Sequence, residues 1–190
     1  MIKKNLNQGR VRGLLKGLAN RRVGVVALLG FSSGLPLALT GGTLQAWMTV
    51  EGVDLSTIGI FTLVGIPYTI KFLWSPLLDR FILPFLGRRR GWILIFQLVL
   101  MGLIFVLGLS SPKNMPWIVA GLAALIAFSS ASQDIVVDAY RTDVLEERER
   151  GFGAAIFVTG YRIAMLVSGA LALILSEFWG WRVTYFFMAG

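Results

Sequence analysis

Asp134 and Asp138 stand four residues apart in the stretch Trp117 to Asp143. That stretch opens as W-I-V-A-G-L-A-A-L-I-A-F and runs on without a break into S-S-A-S-Q-D-I-V-V-D-A-Y-R-T-D. A four-residue spacing puts both carboxyls on one face of a helix. The first part of that helix is apolar enough to lie in lipid, where a carboxylate is costly and rarely sits without a function or a partner. The chemistry open to the pair is proton binding. The sequence has no histidine, so a proton carrier near neutral pH must be a carboxyl group or a lysine. Gln133, beside the first acid, adds a hydrogen-bonding group.

Two cations lie at matching depth. Lys71 precedes Leu78, the end of its own apolar segment, by about 10 Å at 1.5 Å per residue, and Asp134 precedes Arg141 by the same distance. Arg162 lies about 13 Å beyond Gly153. Lys71, Asp134 and Arg162 are therefore expected to share one layer. Arg162 stays charged at any working pH, so it cannot carry the proton, but it suits bidentate capture of a carboxylate or phosphate. Lys71 has two readings, a buried ion pair or a side chain snorkelling to the headgroups. The layer has two as well: a water-filled cavity holding a proton-binding acid and a base for an anionic ligand, or a structural ion-pair cluster. Buried ion pairs add little net stability, which favours the cavity. Asp138, one turn nearer the helix end, is either a proton relay or a partner for loop arginines. Gln45, Tyr68 and Tyr161 complete the candidate binding set with Arg162, Lys71 and Gln133.

The elements that must carry these groups are membrane spans. The 190 residues are 56% hydrophobic and only 15% charged, with a mean hydropathy of +0.74. A soluble domain has about a quarter of its residues charged. The expected fold is all-α, a polytopic helix bundle. Its helices are expected at about 23–50, 55–78, 91–110, 117–141 and 151–176, with an incomplete one at 179–190. Residues 1–22 form a basic tail without the A-x-A-like site of a signal peptide, and they are expected in the cytoplasm. Gly34, Pro36, Gly41 and Gly42 are expected to bend the first helix, and Pro67 interrupts the second. Ser32, Ser33, Thr40 and Thr43 read as helix-packing residues. Most Lys and Arg sit in the tail, the 79–90 loop and the 141–150 region, which places the N-terminus inside. The net charge of +8 is thereby explained by topology, and nucleic-acid binding is not expected. There is no cysteine, so disulfides and thiolate chemistry are excluded. No nucleophile–base pair, metal-ligand cluster or phosphate-binding glycine loop points to an enzyme.

Four runs carry a family resemblance: G-F-S-S-G-L-P-L-A-L-T-G-G-T-L-Q-A-W-M (Gly30–Met48), K-F-L-W-S-P-L-L-D-R (Lys71–Arg80) with G-R-R-R-G-W (Gly87–Trp92), S-A-S-Q-D-I-V-V-D-A-Y (Ser130–Tyr140), and G-Y-R-I-A-M-L-V-S-G (Gly160–Gly169). Together they resemble the AmpG muropeptide permeases of bacterial inner membranes. That family lies in the peptide/acetyl-coenzyme A/drug branch of the major facilitator superfamily. The resemblance implies the N-terminal half of that fold and proton-driven import of anhydro-muropeptides for cell-wall recycling, with β-lactamase induction in some bacteria. The implied partners are an anionic muropeptide, protons and the bilayer, and no cofactor is implied. Asp79, Arg80 and Arg88 match the superfamily's 2–3 loop motif as gating residues. Ser75 stands in place of its first glycine, and an insert precedes Gly87. Such transporters bind substrate between two halves. The second bundle is absent from this sequence, so the chain is not expected to transport without the missing half. A relative carrying acetyl-coenzyme A, a siderophore or a drug is the alternative within transport. A membrane sensor is the alternative outside it.

Overall fold

The computed structural model describes residues 21–81, 87 and 89–190, so Arg88 and residues 1–20 of the basic tail lie outside it. The described residues form helices and their connections, with no strand among them. Among the described residues, five helices are long and apolar enough to cross a membrane. They are α1 (Arg21–Val50), α2 (Leu55–Leu73), α4 (Arg90–Leu109), α5 (Pro116–Val144) and α6 (Glu147–Ala189), and the short α3 (Ser75–Arg80) follows α2.

Helix α1 breaks where its glycines cluster. Leu39–Thr43 widens into a π-turn in which Gly41 leaves helical geometry at φ −93°, ψ −112°. The carbonyls of this region are taken up by hydroxyls: Thr40 Oγ1 donates to Pro36 O at 2.9 Å, and Tyr185 Oη donates to Leu39 O at 2.9 Å. A second π-turn, Val167–Leu171 in α6, faces the first, and Thr43 Oγ1 donates to Ser168 O across the gap at 2.7 Å. Below these turns α1 and α6 lie backbone to backbone. A Cβ at Gly30 would meet the Phe157 carbonyl oxygen, one at Gly34 the Tyr161 carbonyl oxygen, and one at Gly160 the Ala27 carbonyl oxygen.

The second expected helix, 55–78, is in fact two pieces. Gly59, Gly65 and Pro67 accompany the division of α2 into short α and 3-10 segments, and its run stops at Leu73. Trp74 is non-helical at φ −109°, ψ 1°, and α3 restarts with Pro76 in its first turn, where a missing N–H costs nothing. Helix α5 extends to Val144, past the expected end at Arg141. Helix α6 opens with a 3-10 turn at Glu147–Glu149, capped by Glu146, and Gly180 breaks it at φ +79°. After that break, Trp181 and Tyr185 pack on Trp47.

Asp54 starts α2. Its carboxylate accepts the Ser56 hydroxyl, the Thr57 amide at 2.8 Å and the Thr57 hydroxyl at 2.8 Å, and these bonds hold its carboxyl near 2 against an ordinary 3.8. A carboxyl held below its unfolded value contributes stability above the unfolded pKa and loses it as pH falls through the folded one. The cap should therefore contribute evenly from neutral pH down to about pH 4 and fade between about pH 4 and 2. Thermal unfolding of the wild type and Asp54→Ala across pH checks this. A gap between the two that changed from pH 7 to pH 5 would count against it.

Two apolar clusters make the core. One gathers Leu39, Met48, Ile104, Leu107, Ile126 and Tyr185. The other gathers Val23, Val26, Ile93, Val136, Val137 and Phe157. Along α5 the polar run Ser129, Ser130, Ser132, Gln133 and Asp134 lies buried between them.

Candidate functional site

Asp134 is 8% exposed within this polar layer. Helix α5 presents it toward α2, where Lys71 Nζ lies 3.6 Å from its Oδ2. Of the two readings of Lys71, the structure has the ion pair, although the lysine side chain keeps 32% of its surface exposed. Around the pair stand Ser33 of α1, beside the Asp134 carboxyl, and Tyr68 of α2, beside Ser130 of α5. Tyr161 of α6 lies within electrostatic reach of both Asp134 and Asp138. Oxygen atoms of Ser33, Tyr68, Ser130, Gln133 and Asp134 are buried without a hydrogen bond of acceptable geometry. Such concentration of unsatisfied oxygen is rare in a folded interior, where buried polar groups are nearly always paired. It marks a place built for something other than packing.

The remaining expected residues fall differently. Asp138 Oδ1 pairs with Arg141 Nη2 at 3.2 Å, one turn on in the same helix, so its partner among the described residues is an arginine of α5 and not one from a loop. Gln133 is 1% exposed and donates to Ser32 Oγ at 3.4 Å. It also lines a pocket of about 580 Å³ between α1 and α4 with Ser32 and Gln97. Gln45 is half-buried beyond the α1 break. Arg162 does not join the Lys71–Asp134 pair. It is exposed and makes no ion pair among the described residues. Depth along a helix axis does not set direction around it, and α6 turns Tyr161 toward the acids.

At the end of the bundle carrying the loops, Arg89 bridges Asp79, at 3.4 Å, and Asp143. Of the three expected gating residues, Asp79 is thus held by Arg89. Arg80 is exposed with no ion pair among the described residues, and Arg88 lies outside them. Arg22 reaches Glu146 at 2.9 Å, tying the start of α1 to the turn before α6. Sequence reasoning missed Arg89 and Asp143 in this clamp, and Ser130 and Trp74 in the polar layer. Trp74 Nε1 donates to Ser132 Oγ at 3.0 Å. The S-S-A-S run before Gln133 was the available signal for the serines. Among the described residues no group of His, Cys, Asp and Glu is arranged to hold a metal ion.

The anhydromuropeptide permease of Escherichia coli (strain K12) is 59% identical over 169 residues, covering 88% of this chain and 34% of the permease. The permease of Escherichia coli O157:H7 matches to the same extent. An uncharacterized protein of Haemophilus influenzae is 43% identical over 169 residues, covering 89% of this chain and 40% of that protein. The chain thus spans about a third of the length of the permeases it matches. Residues 26–190 match the model of the Major Facilitator Superfamily, and that span includes every helix of the polar layer. The chain belongs to the Major Facilitator Superfamily.

Proposed function

We propose that this chain is part of an importer that carries anhydro-muropeptides across the bacterial inner membrane in symport with protons, for cell-wall recycling. The observation that carries the reading is the Lys71–Asp134 pair, 3.6 Å apart, with Asp134 buried on the stretch of α5 between two apolar clusters. A proton on Asp134 cancels its hold on Lys71 and frees the ammonium for an anionic ligand. A ligand carboxylate on Lys71 in turn leaves Asp134 without its counter-charge and favours proton uptake. Proton and anion therefore bind together, which is the thermodynamic requirement for coupling. Arg162, exposed and without a counter-ion among the described residues, is the second cation offered to such a ligand. Tyr68, Tyr161, Gln45 and Gln133 contribute hydrogen bonds. Muropeptides are anionic through their peptide carboxylates, and the 59% identity to the Escherichia coli permeases supports this choice of solute. The basic tail and loops support a cytoplasmic N-terminus. The activity needs a second bundle, no cofactor and no enzymatic step.

Labelled anhydro-muropeptide uptake into membrane vesicles, with and without an inward proton gradient, tests the reading. The longest open reading frame containing this chain and the 190 residues alone are compared. Accumulation by the longer form under a gradient is expected. Binding that never leads to accumulation would make a sensor the better account, and accumulation of other anions but not muropeptide would move the assignment to a related transporter.

A further inference from the structure

Asp134 presents its two oxygens to different surroundings. Oδ2 is held by Lys71 at 3.6 Å. Oδ1 is buried and has no hydrogen bond. Ser33 Oγ stands beside the carboxyl from α1, and Ser130 Oγ and Tyr68 Oη stand beside each other from α5 and α2. None of these three hydroxyls makes a hydrogen bond of acceptable geometry, and Ser33 and Ser130 are each 1% exposed. Four other hydroxyls of the bundle interior behave differently. Thr40, Thr43, Ser168 and Tyr185 each donate to a backbone carbonyl. Internal water satisfies such groups where the site is polar and supplies two to four partners. Three hydroxyls, which both donate and accept, and a carboxylate oxygen meet that condition.

We propose that Ser33, Tyr68 and Ser130 hold a water molecule against Oδ1 of Asp134, and that the coupling proton reaches Asp134 at this oxygen through that water. The water passes one proton to Oδ1 and takes one from the next donor toward solvent, so one proton is added to Asp134 and the water is restored. Oδ2 stays toward Lys71, which keeps the proton and the ligand anion on opposite sides of one carboxyl group. The charged and titratable groups facing this point are Lys71 and Tyr68 from α2, Asp138 from the next turn of α5 and Tyr161 from α6. Ser33 brings no charge from α1. The proton route rests on the coupling reading above, whereas the water itself is measurable without transport.

X-ray radiolytic oxidation of the chain in lipid nanodiscs, read by mass spectrometry, marks side chains that touch ordered water. Tyr68 is expected to oxidise faster than Tyr185, which is fully buried with its hydroxyl spent on Leu39 O. In a Ser33→Ala/Ser130→Ala variant Tyr68 oxidation should fall severalfold while exposed Trp117 is unchanged. If that variant does not fold by circular dichroism, Ser130→Ala alone serves, with a smaller fall in the same direction. Tyr68 oxidising no faster than Tyr185, or an unchanged rate in the folded variant, overturns the proposal. Neither outcome touches the coupling reading, which fails instead if Asp134→Asn keeps gradient-driven uptake.

Discussion

Asp134→Asn in a chain of the permeases' full length is expected to end gradient-driven accumulation while leaving muropeptide binding in place. Each coupled proton lets a gradient of one pH unit support about tenfold accumulation, since one unit is worth about 1.4 kcal/mol. Asparagine keeps the shape of the carboxyl and cannot be charged or discharged, so the expected accumulation ratio falls to about one. Lys71→Met should weaken muropeptide binding itself, and accumulation with it. It removes a ligand cation and leaves the 8% exposed Asp134 without its counter-charge. Breaking a fully buried pair costs about 3–5 kcal/mol, and the 32% exposure of the lysine side chain brings the expectation here to about 1–3 kcal/mol. Asp134→Asn should cost less, because a lysine that is partly exposed can turn to water. The double variant Lys71→Met/Asp134→Asn carries no unpaired charge and should recover most of the loss. A double-mutant cycle on detergent unfolding measures this. Costs that simply add would show that the two charges do not interact, and the coupling scheme would lose its central pair.

The part of this site that could be read from sequence was the part that violates the membrane's rules. Asp134 and Lys71 stand out because charge in an apolar helix is expensive, and counting residues from the loops gives their depth at 1.5 Å per residue. The same counting put Arg162 in their layer. Counting addresses depth and says nothing of rotation, and neighbouring residues on a helix point about 100° apart. Arg88 and Arg89 raise the same difficulty, for a run of three arginines does not say which one faces Asp79 and Asp143. The membership of the fold was legible in the motif runs and in the spacing of apolar blocks. The serines around Asp134 were hidden for another reason. Small hydroxyls in membrane helices commonly bond back to their own backbone, as Ser132 does to Phe128 O. Composition cannot distinguish these from Ser33 and Ser130, which do not.

Gly34→Val should be among the most damaging substitutions of an uncharged residue in the bundle, although glycine in a helix interior is ordinarily a weakness. Replacing such a glycine by alanine is normally favourable by about 0.5–1 kcal/mol, and Gly24, whose Cβ would meet nothing within 4 Å, is expected to follow that rule. Gly34 faces a different neighbour. Its added Cβ would land on the Tyr161 carbonyl oxygen, an atom fixed by the hydrogen bonds of α6 and unable to swing aside. Helices α1 and α6 would have to separate, and Gly30 against Phe157 O and Gly160 against Ala27 O resist the movement from both sides. Overpacking of a close-packed contact costs about 1–3 kcal/mol, and a clash with backbone belongs at the upper end for alanine and beyond it for valine. Because the three contacts form one interface, a Gly30→Ala/Gly34→Ala double variant should cost less than the sum of its parts. The damage should also reach the site, since Tyr161 moves with its carbonyl and is the group of α6 that faces Asp134 and Asp138. Detergent unfolding of Gly24→Ala, Gly34→Ala and Gly34→Val ranks the three. If Gly34→Ala is as stable as Gly24→Ala, α1 and α6 do not approach closely in the membrane, and Tyr161 has no fixed place beside the acids.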